Sequence, residues 1–279
     1  MSGYADEIEY KIFGTEMQFT EIELDPGESV IAEAGAMMYK DSTIDMDTIF
    51  GDGSAQSSQG GFFGKLMGAG KRLLTGESLF MTVFSNKGRD KAKVAFGAPY
   101  PGNIIPVHLS ELGGTLICQK DSFLCAAKGV SVGIHLQRKI LTGLFGGEGF
   151  IMQKLEGDGW AFMHAGGTIV ERQLQAGEIL HVDTGCVVAF EPSVEFEIQQ
   201  AGNVKTALFG GEGLFFAVLR GPGKIWLQSL PFSRLAGRML AAAPKQGGSK
   251  EEGSVIGKTV LGGTLLGGLG SLLDGDDDN

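Results

Sequence analysis

One pattern recurs three times along this 279-residue chain, and it constrains the fold more than any other feature. Each occurrence opens on a leucine and continues through a glycine-bearing turn, a short strand, a second turn and an alternating strand. The copies start at Leu24, Leu112 and Leu174 and read LDPGESVIAEAGAMMYKDSTIDMD, LGGTLICQKDSFLCAAKGVSVGIH and LQAGEILHVDTGCVVAFEPSVEFE. Twenty positions after each leucine stand Ile44, Val132 and Val194, and two further on stand Met46, Ile134 and Phe196. Apolar residues alternate with polar ones there, as in Val194-Glu195-Phe196-Glu197-Ile198. That period of two predicts strands with one buried face. Copies one and three share Gly27-Glu28 with Gly177-Glu178, and Gly35 with Gly185. Copy two carries Thr115-Leu116 and Phe123 instead and is the most diverged.

The second half of each copy repeats as well. TGESLFMTVF surrounds Glu77, LFGGEGFIMQKL surrounds Glu148 and LFGGEGLFFAVL surrounds Glu212. Apolar runs bounded by glycine turns read as buried strands. A further strand follows each, at Lys93–Phe96, Trp160–Met163 and Lys224–Leu227. No copy can bury both faces alone, so the reading is one all-β body in which three repeats share a core about a pseudo-threefold axis. The expected organisation is a single domain over residues 1–235, with repeats at about 12–105, 106–168 and 169–230.

LTGESLFMTVF, LFGGEGLFFAVL and above all GPGKIWLQSL (Gly221 to Leu230) resemble the family called altered inheritance of mitochondria, protein twenty-four. The resemblance spans about residues 8–235. It implies a β-prism or double-stranded β-helix, similar in topology to the tryptophan-regulated RNA-binding attenuator protein. It also implies, for eukaryotic members, a mitochondrial inner-membrane role in maintaining membrane architecture. It offers no catalytic residues to transfer.

Composition narrows the function classes. The formal net charge is −10, which disfavours phosphate-tracking and hence nucleic acid. Glycine is abundant, 46 residues against 8 prolines, without a collagen-like period, so many tight turns are expected. Cys118, Cys125 and Cys186 are an odd set in apolar runs, and the polar start Met1 to Glu9 is no secretory leader. Both point to a reducing, cytoplasmic setting and to cysteines that serve as small buried hydrophobes.

Three segments depart from the repeat. Copy one carries an insertion, Gly51 to Leu74, that turns apolar and basic at Phe62, Phe63, Lys65, Leu66, Met67, Lys71 and Arg72. Such a segment suits a membrane surface or an acidic partner, and equally a loop folded back on its aromatics. Residues 231–243 read as a short helix between Pro231 and Pro244, capped by Ser233 and packed on the β body through Leu235, Met239 and Leu240. Residues 244–279 read as a glycine-rich tail. Its apolar stretch, Val255 to Leu273, fits a flexible tail, a self-associating helix or a membrane insertion.

Catalytic chemistry finds no footing. His108, His135, His164 and His181 occupy non-equivalent repeat positions without ligand spacing, and His181-Val182-Asp183 alone does not make a cupin-type metal site. Glu77, Glu148 and Glu212 are equivalent across the repeats. On a tight ring they would hold a cation; on a wide one each accepts N–H bonds from its own turn. The expectation is therefore a non-enzymatic structural or adaptor protein, cytoplasmic, in contact with a protein partner or peripheral to a membrane. It needs no cofactor and binds no nucleic acid. A small-molecule or metal-binding β-barrel and an RNA-binding ring are the alternatives. The oligomeric state stays open.

Overall fold

The computed structural model describes residues 4–50, 80–138, 150–200 and 215–242. Among the described residues the chain is mostly β-strand, in antiparallel sheets, with one short helix near the C-terminal end. The described strands lie within the compact unit Met1–Ala236; a second unit comprises Gly237–Asn279. Alternation builds the strands as expected: in Phe19–Leu24 every second residue, Thr20, Ile22 and Leu24, is buried.

After an initial strand β1 (Glu9–Phe13), strands come in sets of six. The first set is β2 (Phe19–Leu24), β3 (Ser29–Glu33), β4 (Met37–Lys40), β5 (Ile44–Phe50), β6 (Phe80–Asn86) and β7 (Ala92–Gly97). The second is β8 (Gly102–His108), β9 (Thr115–Gln119), β10 (Phe123–Ala127), β11 (Ser131–Arg138), β12 (Phe150–Glu156) and β13 (Trp160–Gly166). The third is β14 (Ile169–Leu174), β15 (Ile179–Asp183), β16 (Val187–Phe190), β17 (Glu195–Gln200), β18 (Phe215–Arg220) and β19 (Gly223–Gln228).

Pairing repeats with the sequence. The last strand of each set lies between the first and third, as in β2-β7-β4, β8-β13-β10 and β14-β19-β16. The fifth lies between the second and fourth, as in β3-β6-β5, β9-β12-β11 and β15-β18-β17. Each third strand carries an irregularity at the same place, between Met37 and Tyr39, Phe123 and Cys125, and Val187 and Ala189. Successive sets are fused where the second strand of one pairs with the third strand of the next. The β3–β10 joint sets Ala32 opposite Cys125, and the β9–β16 joint sets Cys118 opposite Ala189. Two six-stranded sheets result, flanked by β1-β2-β7-β4 and by β15-β18-β17.

The pairing corrects the register of copy two. Leu24 and Leu174 face Ala92 and Gly223. The residue in their place is Leu109, whose N–H donates to Gly159 O at 3.0 Å, and not Leu112. Asp45 and Glu195, opposite Ser85 and Arg220, correspond to Ser131, so Ile44 and Val194 match Val130 rather than Val132. A slip of two residues returns a strand to the same face, so the alternation alone conceals it.

The apolar residues form three clusters rather than the single core expected about an axis. Val30 and Ala32 join the cluster shared with Ile22, Leu24, Val94 and Phe96; Ile31 between them joins the cluster shared with Leu116, Leu155 and Trp226. Ile117 and Ile225 point to the third, with Ala217 and Leu219. The six-stranded sheets thus bury residues of both faces, which is why β10 is buried at every position.

The helix α1 (Phe232–Ala242) begins where Pro231 O accepts from the N–H groups of Arg234 and Leu235. Pro231, not Ser233, therefore starts it, and Ser233 sits in its first turn. Arg234 pairs with Asp183 at 3.3 Å.

Candidate functional site

The third strand of the first set, β4, is an edge strand, and beside it the chain leaves a cavity of about 700 Å³. The β3–β4 turn shapes its rim; Gly35 there holds φ +87°, a backbone that glycine adopts without strain. Met17, Met37, Met38 and Phe232 supply an apolar lining, and Glu33, Tyr100 and Asp121 the ionisable groups. Methionine linings adapt to guests of different shape.

Glu33 ends β3, so the strand that carries the buried run Val30-Ile31-Ala32 also delivers a carboxyl to the cavity. Burial, together with the nearby Asp121 charge, pushes its pKa up to about 7. Tyr100 packs edge-on against His164 with ring centroids 4.4 Å apart and tilted against Phe232 at 5.2 Å. Burial pushes its phenol up to about 12. Behind it, His164 is buried, and burial holds its pKa down at about 4. Gly102 permits that closeness: a Cβ there would stand 2.0 Å from Ala165 O and 2.7 Å from His164 Nε2. Glu33, Tyr100 and His164 are thus all pushed toward their neutral forms. The thiols follow the same rule: burial raises Cys118 to about 12 and Cys125 well above its ordinary value, so neither is a ready nucleophile.

Glu33 has a measurable consequence. Its folded pKa lies above the ordinary carboxylate value of 4.5, so folding favours the protonated form. Below that value both folded and unfolded chains are protonated and the shift costs nothing. The penalty grows as pH rises toward 7 and is complete above it. Glu33→Gln is therefore expected to match the parent at pH 4 and to gain about 2 kcal/mol at pH 8, after allowance for partial exposure. Urea unfolding at both pH values checks this, and equal stability at pH 8 would refute it.

A second cavity of about 580 Å³ lies beside the N-terminal segment, lined by seven carboxylate residues. Several have structural tasks: Asp6 accepts from Ser29 N–H at 2.8 Å, Glu28 from Asp25 N–H at 2.8 Å and Asp158 from Ala5 N–H at 2.8 Å. Among the described residues no group of three or more His, Cys, Asp or Glu could hold a metal ion. Lys91 sits between Glu9 and Glu23, Lys93 lies 2.8 Å from Glu21 and Lys224 lies 2.6 Å from Glu171. Among the described residues these pairings set lysines beside carboxylates.

Several sequence expectations fall outside the described residues: the glutamates Glu77, Glu148 and Glu212, the contact residues Phe62, Phe63, Lys65, Leu66, Met67, Lys71 and Arg72, and the tail from 243 on. The histidines are dispersed. His181 is exposed on β15 against Phe216, with ring centroids 5.1 Å apart, and His108 Nδ1 lies 2.6 Å from Ser110 Oγ. Sequence reasoning missed Glu33, Tyr100 and Asp121, which lie at the end of β3, between β7 and β8, and between β9 and β10, and share no motif. A charge closing a buried apolar run was the available signal at Glu33.

Residues 10–230 match the family described as Mitochondrial biogenesis AIM24. The chain belongs to the AIM24 family. An uncharacterized protein of Streptococcus pyogenes serotype M6 is 30% identical over 233 residues, covering 82% of this chain and 88% of the other. A crystal structure of a Streptococcus pyogenes protein shares the fold, with a TM-score of 0.67 at 24% identity over 85% of this chain and 100% of that one. Among the described residues of this AIM24 chain no helix is long and apolar enough to cross a membrane.

Proposed function

We propose that this protein is a non-enzymatic structural or adaptor protein that receives an apolar group of a partner in the cavity beside β4. The observation that carries this reading is the lining of that cavity, apolar and methionine-rich at Met17, Met37, Met38 and Phe232. Here burial pushes Glu33, Tyr100 and His164 toward neutrality, which suits an uncharged guest. Peripheral contact with a membrane surface through Phe62 to Arg72 belongs to the same proposal, and it stands on the sequence. The paired lysines and the net charge of −10 weigh against nucleic acid.

A neutral apolar dye, Nile red, tests the cavity. It is expected to bind saturably, more tightly at pH 5 than at pH 8 because Glu33 ionises between them. Ala98→Trp, at the cavity wall, is expected to abolish binding without moving the melting temperature. Absence of saturable binding, or binding indifferent to Ala98→Trp, would sink the reading.

A further inference from the structure

The joint between second and third strands occurs twice within the chain, and its two halves occur once more without each other. β15 is a second strand with no following set, and β4 is a third strand with no preceding one. Among the described residues both are sheet edges. We propose that copies of this protein join head to tail, β15 of one molecule pairing antiparallel with β4 of the next. This inference rests on the reading of the protein as a structural one and names its partner as a second copy of the chain.

The repeat supplies the register. Cys125, Ala189 and Tyr39 each follow the irregularity and face Phe162, Trp226 and Ala95. Ala32, Cys118 and Val182 face Thr82, Gln153 and Ala217 in the same way. Since Ala32 meets Cys125 and Cys118 meets Ala189, Tyr39 meets Val182 of the next copy and Lys40 meets its His181. Hydrogen bonding follows too. Lys128 N–H donates to Ser29 O across the β3–β10 joint at 3.1 Å, so Ile31 with Ala126 is a bonded pair and Ala32 with Cys125 is not. By transfer, Lys40 with His181 is bonded. Asp41 N–H donates to Lys93 O of β7 at 2.9 Å, so alternation turns the N–H of Lys40 outward, toward the incoming strand.

Burial agrees. Leu124 and Val188, at the irregularity of β10 and β16, are 1% and 0% exposed, whereas Met38 in their place is 52% exposed. Ser29, at the start of β3, is 1% exposed, whereas Ile179 at the start of β15 is 51% exposed. Tyr39 is 42% exposed where Cys125 and Ala189 are fully buried. Apolar residues occupy positions that the internal joints cover and these edges leave open. Unpaired edges of this kind recruit strands. Because the two halves differ, the contact is heterologous and closes a ring or extends a filament.

Light scattering on the full chain is expected to give a mass of two or more chains, and Lys40→Pro, which removes the outward N–H from an edge where proline is tolerated, a mass of one. Mixing Tyr39→Cys with Val182→Cys under oxidation is expected to link the two variants through a non-bonded pair about 4.5 Å apart at Cα, within disulfide reach. Neither variant alone, nor the parent with its native cysteines, is expected to link. A single-chain mass for the parent, an unchanged mass for Lys40→Pro, or no cross-link in the mixture would each overturn the proposal. Nile red binding by Lys40→Pro is read separately, so the cavity reading stands or falls apart from this one.

Discussion

Trp226→Ala is expected to destabilise the protein by about 3–5 kcal/mol, the range for emptying a fully packed aromatic site. Trp226 is 2% exposed and belongs to the cluster between the two six-stranded sheets, with Leu116, Leu155 and Val188. Its strand β19 lies between β14 and β16, so neither neighbour can close in to fill the void without breaking a ladder. Lys224 Nζ stands 4.8 Å from the ring centroid, a cation–π contact that adds about 0.5–1 kcal/mol to the loss. Trp226→Phe keeps a ring and is expected to recover more than half of the stability. Urea midpoints at pH 7 measure both. A shift for Trp226→Ala no larger than that of an exposed substitution such as Lys87→Ala would show that the sheets repack freely.

Asn86→Ala is expected to cost about 3 kcal/mol, although it removes little apolar surface. Asn86 is fully buried at the end of β6. Its Nδ2 donates to Leu24 O and Asp90 O, both at 2.9 Å, and its Oδ1 accepts from Gly88 N–H at 2.9 Å. One side chain therefore ties the end of β2 to the turn that leads into β7. Alanine leaves these backbone groups without the partner that the fold provides, and buried groups without partners are costly. Asn86→Asp keeps the shape but turns acceptor oxygens toward two carbonyls, so it is expected to cost at least as much at pH 7. Thermal unfolding of the two variants beside the parent decides this. If Asn86→Ala melts with the parent, water replaces the side chain and the tie is dispensable.

The halves of the chain differ in how openly they disclose themselves. Glycine turns before apolar runs marked β6, β12 and β18, because a buried strand needs a continuous apolar stretch and a sharp entry. Copy two misled by three residues at Leu112 and two at Val132, because its turn carries a short 3₁₀ segment, Leu109–Leu112, absent from the others. The cavity was less legible. Glu33, Tyr100 and Asp121 lie far apart in the chain and meet because β3 pairs with β10 of the next set. No local spacing records a pairing of that kind. The protonation of Glu33 was equally hidden, since a pKa depends on what surrounds the carboxyl and not on its own strand.

Periodicity along one strand depends on neighbours two residues apart, and it appears in the sequence itself. The sequence alone therefore determined that this chain is rich in strands, that its unit occurs three times and that it resembles its family. How the units combine depends on contacts between residues far apart in the chain. Only the tertiary structure decided, among the described residues, that successive sets fuse second strand to third, that their side chains divide among three clusters instead of one, and that β4 and β15 are left as edges. An edge is the absence of a partner, and a strand's own residues read much the same with a partner or without one.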